Sequence, residues 1–341
     1  MPLIEFTDKG LYCRQGDFYI DPWKPVNKAV ITHAHSDHAK WGSKYYLCHH
    51  FTKPLLQLRL GIDNHFESIG WNETRFLNGV SVSFFPAGHI IGSAQVRVEY
   101  NGEVWVFTGD FKNEDDGVST AFEPVPCHTF ITESTFALPI YKWKKQQLIF
   151  QEMKEWIAEN KAEGKSSVFI AYSLGKSQRI LKPLSETGIP IFVHGAVANV
   201  HNTLVDNGWA LPLVKRVTPE TKKEDLSGSI IIAPSGAEGS PWIRRFQPYA
   251  VGICSGWMQV RGNARRKNAD AGFALSDHAD WSGLLEAVRA TGASRVYATH
   301  GFQSAFSRYL NENGIEAGEV KTAYGTDDEE SISDEPPNTE L

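Results

Sequence analysis

The chain of 341 residues is long enough for one large domain or for two ordinary ones. Hydrophobic residues make up 41% of it and charged residues 22%, values typical of soluble globular proteins, and no run of 18 apolar residues predicts a membrane-spanning helix. The net charge is −6, but residues 326–341 hold seven acids and no base, and removing those seven charges leaves +1 for the rest. This balance excludes a uniformly basic protein and favours local basic patches as contacts for an acidic substrate.

The two ends of the chain and its cysteines predict a protein without a signal peptide, with a disordered tail, in a reducing compartment. The N-terminus has neither a basic nor an apolar segment, so we expect no signal peptide. The acidic tail carries Pro336-Pro337 and no aromatic residue, which predicts disorder. The cysteines form no Cys-x-x-Cys pair, which argues against a disulfide framework or a thiolate zinc site and favours a reducing cytoplasm. They are Cys13, Cys48, Cys127 and Cys254.

Short apolar runs separated by turn signals predict a strand-rich first part of the chain. Asn101-Gly102 predicts a type I′ hairpin turn, because both residues readily take positive φ angles. The predicted strands are 28–32, 80–85, 95–100, 103–108 and 129–132.

Strands alternate with helices after Tyr141, which predicts a parallel α/β unit. Residues 142–162 form an amphipathic pattern, with Leu148, Met153, Trp156 and Ile157 on its apolar side. Further predicted strands are 167–171, 190–193, 230–233 and 295–298, and further predicted helices are 176–184, 281–291 and 303–312.

Four ligand-type side chains lie within six residues directly after the first of these strands: His33, His35, Asp37 and His38. Groups of this kind converge at the end of a buried strand only when a cation holds them. Imidazole and carboxylate ligands suit Zn²⁺ or Mn²⁺. His89 in a Gly-His loop and Asp110 after Gly109 at a strand end are further candidate ligands.

These residues resemble the motifs of the metallo-β-lactamase superfamily. The resemblance implies that His33, His35 and His89 hold one metal, that Asp37 and His38 hold a second, and that Asp110 bridges both. Asp21 matches the acid that orients a ligand histidine from outside the coordination sphere.

The second half of the chain resembles the β-CASP nucleases within that superfamily. Ile131-Thr132-Glu133-Ser134-Thr135-Phe136 looks like their motif A, Leu275-Ser276-Asp277-His278-Ala279-Asp280 like motif B, and Ala298-Thr299-His300-Gly301 like motif C. The implied fold is an α/β protein in which residues 1–140 and 263–325 form an αββα sandwich. Residues 141–262 would form an inserted α/β cap.

The resemblance also implies roles in phosphodiester hydrolysis. His300 would complete the second metal site, His278 would act as general acid for the leaving oxygen, and Glu133 would orient it, although Glu133 also suits a strand-end acid capping a turn. The expected catalytic residues are thus Asp37, Glu133 and His278. Two divalent ions would activate the attacking water, and the products would be a 5′-phosphate and a 3′-hydroxyl.

Small-residue loops in the cap are candidate contacts to substrate phosphates, and each also suits a plain tight turn. The first precedes a predicted helix, whose N-terminus favours anions. These candidates are Ser173, Gly175, Lys176, Ser235, Gly236, Ser255 and Gly256. A basic run before motif B is either a nucleic-acid track or a solvated face, and comprises Arg261, Arg265, Arg266 and Lys267.

The substrate remains open between DNA and RNA at this level. A histidine at motif C is commoner among RNA-processing members, whereas the compact chain most resembles the bacterial ligase-associated DNA exonucleases. We therefore expect a 5′→3′ DNA exonuclease of DNA repair, with DNA ligase and helicase partners and no membrane contact. An RNA-processing nuclease and a small-molecule metallo-hydrolase of the same fold are the alternatives.

Overall fold

A computed structural model describes residues 2–260 and 269–322 of the chain. The basic run at Arg261, Arg265, Arg266 and Lys267 and the acidic tail lie outside these residues. The described residues divide into two compact units, one made of 2–142 and 278–322 and the other of 143–260 and 269–277. Among the described residues, no helix is both long and apolar enough to cross a lipid bilayer.

The first unit contains two β-sheets. One has the order β1-β2-β3-β4-β5-β6, and the other has the order β19-β18-β11-β10-β9-β8-β7. The strands of the first sheet are β1 (Glu5–Phe6), β2 (Leu11–Cys13), β3 (Phe18–Ile20), β4 (Lys28–Val30), β5 (Tyr45–His49) and β6 (His65–Ile69). Those of the second are β7 (Thr74–Leu77), β8 (Val80–Pro86), β9 (Ala94–Tyr100), β10 (Glu103–Phe107), β11 (Thr129–Ser134), β18 (Arg295–Gly301) and β19 (Glu316–Glu319).

The two sheets of this unit pack face to face through one apolar core. Phe18 and Val30 from the first sheet belong to the same buried cluster as Val82, Val96 and Phe107 from the second. The outer face of the second sheet is covered by two helices, Trp281–Thr291 and Gln303–Glu312, through a separate buried cluster. A further helix, α1 (Lys53–Leu60), packs beside β6. The layering follows from strands with one apolar face each, which are stable only when those faces meet.

Strand direction in the second sheet determines which side chains meet at its edge. Strands β10, β11 and β18 are mutually parallel, so their C-terminal ends lie on the same side. The segments that follow or end these strands carry Asp110, Glu133 and His300. On the other half of the sheet, β9 and β10 form a hairpin whose Asn101 and Gly102 have φ angles of 50° and 80°. The predicted type I′ geometry is thereby confirmed at this turn.

The second unit is built on a six-stranded parallel sheet with the order β14-β13-β15-β12-β16-β17. Buried apolar clusters cover both of its faces, which explains the continuous apolar runs of its central strands. Its strands are β12 (Ser166–Ile170), β13 (Ile191–Val193), β14 (Lys215–Arg216), β15 (Ile230–Ala233), β16 (Tyr249–Cys254) and β17 (Ala271–Phe273). Its helices are α2 (Gln146–Ala162), α3 (Lys176–Ser185), α4 (Gly195–Asp206) and α5 (Lys223–Leu226), so the two helices of the first unit are α6 (Trp281–Thr291) and α7 (Gln303–Glu312).

One predicted helix face is wrong in part. Met153 and Ile157 of α2 are buried as expected, and Trp156 packs against the same core. Leu148, however, is 57% exposed. The helix begins at Gln146 and not at residue 142. In its first turn, Gln146 and Ile149 are the buried residues, and Leu148 points to solvent.

A candidate metal centre and a buried cation cluster

Three histidine rings and one carboxylate converge in the first unit. The His35 Nδ1 atom lies 3.2 Å from His33 Nε2 and 3.1 Å from His89 Nε2. The Asp110 Oδ2 atom lies 3.4 Å from His33 Nε2 and 3.7 Å from His89 Nε2. His33, His89 and Asp110 are buried and His35 is half-buried. These four side chains are the first expected metal-binding set together with the expected bridging residue.

A second set shares the same carboxylate. His38 Nε2 lies 3.4 Å from Asp110 Oδ2 and 3.5 Å from Asp37 Oδ2, and His300 Nε2 lies 3.0 Å from Asp110 Oδ1. Asp110 therefore presents one oxygen to His33, His89 and His38 and the other to His300. This geometry suits a carboxylate that bridges two ions.

The donor set fits divalent cations. Atoms about 2.1 Å from a common ion in a tetrahedral arrangement lie about 3.4 Å apart, close to the separations observed here. Ring nitrogens that face one another at these distances cannot all be satisfied by shared protons, since each neutral imidazole carries one N–H. A cation satisfies them together. Potential ligand atoms within 4.8 Å of one another include His33, His35, His89 and Asp110 in one group and His38, Asp110 and His300 in another.

Asp21 fixes the orientation of His38 from behind. Its carboxylate accepts hydrogen bonds from the Thr32 backbone N–H at 2.8 Å and from the Thr32 hydroxyl at 2.5 Å. Its Oδ2 atom also lies 2.7 Å from His38 Nδ1. Because Nδ1 then carries the proton, Nε2 of His38 is left as the ligand atom, which is the arrangement expected for a metal-bound imidazole.

Electrostatics in the centre separate neutral from charged groups. Burial, reinforced by His38, lowers the pKa of His33 well below its ordinary value, which keeps this imidazole neutral and able to ligate. Burial alone would raise the pKa of Asp110, but His38 and the hydrogen bond from His300 outweigh it and hold that pKa well below the usual range. Burial would likewise lower the pKa of His38, but Asp110 and Asp37 raise it well above the ordinary value, so these two carboxylates favour a positive charge at this position, which a bound cation would supply in place of the proton.

Glu133 and His278 form a hydrogen-bonded pair beside this centre. The Glu133 carboxylate is fully buried and its Oε2 atom lies 2.8 Å from His278 Nδ1. Its Oε1 atom accepts the Phe111 backbone N–H at 2.7 Å. Both oxygens of Glu133 are therefore engaged, and the bond to Nδ1 turns Nε2 of His278 away from Glu133. The His278 ring centroid lies 4.7 Å from that of His89.

Two residues that the sequence analysis did not identify hold the ligand loops in place, one in α1 and one at its N-cap position. The Arg59 guanidinium donates to the backbone carbonyl of Ala34, between ligands His33 and His35. The Thr52 hydroxyl donates to the Gly92 carbonyl at 2.6 Å, in the loop that carries His89. A Cβ on Gly92 would lie 2.8 Å from the Thr52 nitrogen, so the loop can pack this closely only with glycine. Thr-Lys-Pro at the start of α1 is a helix-start signal that could have revealed the element, but nothing in the sequence indicates these contacts.

The candidate phosphate contacts all lie in the second unit. Ser173, Gly175 and Lys176 follow β12, the Ser235-Gly236 step follows β15, and Ser255-Gly256 follows β16. These three strands are adjacent and parallel, so their following loops share one edge of the sheet. Loops at this edge of a parallel sheet are a common place for ligands.

Around Lys176 two buried cations share one carboxylate, and we refer to Lys176, Arg179 and Asp277 as the cation cluster. Lys176 Nζ lies 3.6 Å from Asp277 Oδ2, and an Arg179 terminal nitrogen lies 3.1 Å from Asp277 Oδ1. All three side chains are at most 6% exposed. Nearby, the buried Ser173 hydroxyl has no hydrogen-bond partner among the described residues.

Two of the candidate phosphate contacts already have hydrogen-bond partners within the protein. The Gly175 N–H donates to the Gln178 side chain at 2.7 Å, so it caps its own helix. The Ser255 hydroxyl accepts the Trp257 N–H at 3.3 Å. Lys176 and Ser173 remain the best-placed groups of this set.

Comparisons with known proteins find relatives that are named as a DNA ligase and as ribonucleases. No family model matches it. It is 31% identical over 325 residues to a protein of Opitutus terrae named "Probable DNA ligase", and the match covers 93% of this chain. It is 26% identical over 271 residues to an RNase J-like protein of Methanocaldococcus jannaschii, covering 65% of this chain. It is 30% identical over 123 residues to cleavage and polyadenylation specificity factor 73 of Drosophila melanogaster, covering 35% of this chain.

The chain is a partial match to each of these relatives. It spans 31% of the ligase-named protein, 63% of the RNase J-like protein and 18% of the polyadenylation factor. Among solved structures, a protein of unknown function from Enterococcus faecalis V583 superposes with a TM-score of 0.61 at 11% identity, over 87% of this chain and 80% of that one, which shows a shared fold. The ribonuclease-named relatives support the resemblance to the metallo-β-lactamase superfamily and its β-CASP branch that the sequence motifs carry.

Proposed function

We propose that the protein is a metal-dependent nuclease that hydrolyses phosphodiester bonds. The observation that carries this proposal is the position of Asp110, whose carboxylate lies 3.0–3.7 Å from histidines of both expected ligand sets. Two-ion centres of this kind are suited to phosphoester hydrolysis. The RNase J-like relative and the endoribonuclease-named relatives agree with this chemistry.

The residues divide the work as follows. His33, His35 and His89 with Asp110 would hold one divalent ion, and Asp37, His38 and His300 with Asp110 would hold the other; Zn²⁺ and Mn²⁺ both suit these ligands. Divalent ions in such a site supply Lewis acidity and activate water. Asp21 fixes the tautomer of His38, so its ligand nitrogen needs no rearrangement.

The Glu133–His278 pair supplies the proton for the leaving oxygen. Glu133 accepts from Nδ1 of His278 and stabilises the imidazolium form, which leaves a proton on Nε2. A donor that faces the departing oxygen stabilises the alkoxide as it forms. His278 is half-buried, so the ring remains accessible from one side.

The second unit supplies anion recognition. Lys176 and Arg179 bring two positive charges against the single negative charge of Asp277, and the buried Ser173 hydroxyl lies three positions before Lys176 in the chain. A substrate phosphate would complete this arrangement by adding negative charge and hydrogen-bond acceptors. We assign Lys176 and Ser173 as the main phosphate contacts of this unit.

The substrate we propose is DNA, degraded from the 5′ end in a repair process that involves a DNA ligase. The support is the ligase-named relative, which matches 93% of this chain at 31% identity. The match covers 31% of that protein, so most of its sequence lies outside the part that resembles this chain. RNA is the second candidate, favoured by the RNase J-like relative and by His300 at motif C.

Incubation with end-labelled DNA and RNA of one sequence, with Mn²⁺ or Zn²⁺ and with each end tracked separately, tests the assignment. We expect mononucleotides released from the 5′ end of DNA, little release from RNA, and 5′-phosphate products. The His278→Ala variant should lose about 10²- to 10⁴-fold in rate, as expected for removal of a general acid. Cleavage of RNA alone would replace the DNA assignment, and an unimpaired His278→Ala enzyme would remove His278 from the reaction.

A further inference from the structure

Trp41 exposes a large aromatic surface close in sequence to the metal ligands. Its side chain is 73% exposed, although a buried tryptophan would contribute substantially to stability. It lies three residues after His38, so their Cα atoms can be no more than about 11 Å apart. The indole is therefore available to a partner near the candidate metal centre.

The turn that presents Trp41 is held in place. The hydroxyl of the buried Tyr46 donates to the Lys40 carbonyl at 3.0 Å and accepts the Ser43 backbone N–H at 2.9 Å, so it clamps both sides of the turn. Gly42 has a φ of 100°, and a Cβ there would lie 3.0 Å from Pro25. The indole is thus presented on a fixed turn, and little conformational entropy is lost when something stacks on it.

Positive charge flanks the indole. Lys40 and Lys44 stand on either side of Trp41 in the chain, and no carboxylate of the described residues lies within 4.0 Å of either ammonium group. Lys44 Nζ lies 5.2 Å from the ring centroid of Tyr45, itself 43% exposed. Exposed aromatic rings interleaved with unpaired cations are what single-stranded nucleic acids bind, since bases stack on the rings and phosphates meet the cations.

We propose that Trp41 is a stacking platform for a base of a single-stranded nucleic-acid substrate, with Lys40 and Lys44 facing its phosphates. The proposal rests on the proposed nuclease function and adds a sequence-tolerant binding determinant to it. A stacked base near the metal ligands would fix the strand in register for cleavage.

Fluorescence anisotropy with a labelled single-stranded oligonucleotide and the full chain, with metal chelated to stop cleavage, tests the platform. Trp41→Ala should raise Kd by about 5- to 100-fold, the range for loss of one stacked base, and Trp41→Phe should restore most of the affinity. Phe76→Ala is the matched control, because Phe76 is 66% exposed on β7 and has no assigned role. It should change Kd by less than about twofold.

An abasic oligonucleotide of the same length separates stacking from charge. The Trp41→Ala effect should shrink to about twofold or less on that ligand, because no base is left to stack. If wild type binds the normal oligonucleotide and Trp41→Ala binds equally well, or if Phe76→Ala loses as much, the platform is wrong while the nuclease assignment stands. If wild type neither binds nor cleaves any nucleic acid, both proposals are wrong.

Discussion

The candidate metal centre of the first unit and the cation cluster of the second both bury polar groups, but the groups they bury are of opposite kinds. The centre brings together lone pairs: four histidine nitrogens lie within 3.7 Å of the carboxylates of Asp37 and Asp110. The cation cluster brings together positive charge, because Lys176 and Arg179 share the single carboxylate of Asp277. A buried group of either kind is stable only when its missing counter-charge is supplied.

From this contrast we expect the two units to bind ligands of opposite charge. The ring nitrogens and carboxylates of the centre should bind cations, and the positive charge of the cation cluster should bind an anion such as phosphate. The contrast also predicts that substitutions in the two places have different signatures. Changes in the centre should alter metal content and turnover together, whereas changes in the cation cluster should alter substrate affinity alone.

The largest effect should follow replacement of Asp110. Asp110→Ala removes the carboxylate shared by both ligand sets, so we expect nuclease activity to fall by about 10³-fold, with loss of bound metal. Activity assays combined with metal analysis by plasma mass spectrometry measure both. Asp115→Asn, an exposed position on the same loop, should keep full activity and full metal content. An Asp110→Ala protein that retained both ions would show that the carboxylate does not bridge them.

The convergence of the candidate metal ligands was predictable because these residues are close in sequence or follow strand ends. His33, His35, Asp37 and His38 lie within six residues, and Asp110 and His300 end parallel strands that must share an edge. The contacts of Arg59 and Asp277 were not predictable in the same way. Asp277 meets Arg179 across 98 positions of sequence, and no spacing rule connects them.

The fold was predictable to a similar extent. Helices α6 and α7 and strand β15 have the predicted bounds, because the apolar pattern of each agrees with its tertiary packing. Helix α6 is in addition capped by Asp280 at its start and by Gly292 at its end. The segment 45–69, which holds β5, α1 and β6, gave no clear signal since polar and aromatic residues interrupt its periodicity. A second Asn-Gly turn, Asn78-Gly79, joins β7 and β8 with φ angles of 47° and 84°. The same sequence rule that predicts the turn at Asn101-Gly102 also predicts this one.

A smaller and different effect should follow replacement of Lys176. Lys176→Met keeps the aliphatic stem but removes the charge, so KM should rise by about 10- to 100-fold, the range for loss of a hydrogen bond to a charged group. Metal content and kcat should stay close to the wild-type values. Steady-state kinetics over a range of oligonucleotide concentrations separate the two parameters. Lys182→Met, on the exposed side of the same helix, is the matched control and should leave KM unchanged.

A fall in kcat and metal content in Lys176→Met would contradict the division between the two regions. The cation cluster would then affect the metal centre. Its excess positive charge would not be explained by binding of an anionic ligand.

The smallest effect should come from replacement of Arg59. This residue contacts the loop that carries the metal ligands but is not itself a ligand, so it tests how the loop is held in place. Arg59→Ala removes the donor to the Ala34 carbonyl but leaves every metal ligand in place. Outer contacts of this type are worth about 10- to 100-fold in metal affinity, and one bond to a backbone carbonyl should fall near the lower limit. Competition against a chelator measures that affinity without any activity assay.

Two further variants decide whether Arg59 positions the loop or merely stabilises the fold. Arg59→Lys retains a donor, so it should recover part of the metal affinity that alanine loses. Arg75→Ala removes an exposed arginine whose partner is Glu67, and it should leave metal affinity unchanged. If Arg59→Ala lowered the thermal midpoint without weakening metal binding, the arginine would support the fold and not the ligand geometry. The two ligand loops would then depend on Thr52 and on their own turns, and the centre would be organised mainly by its bound cations.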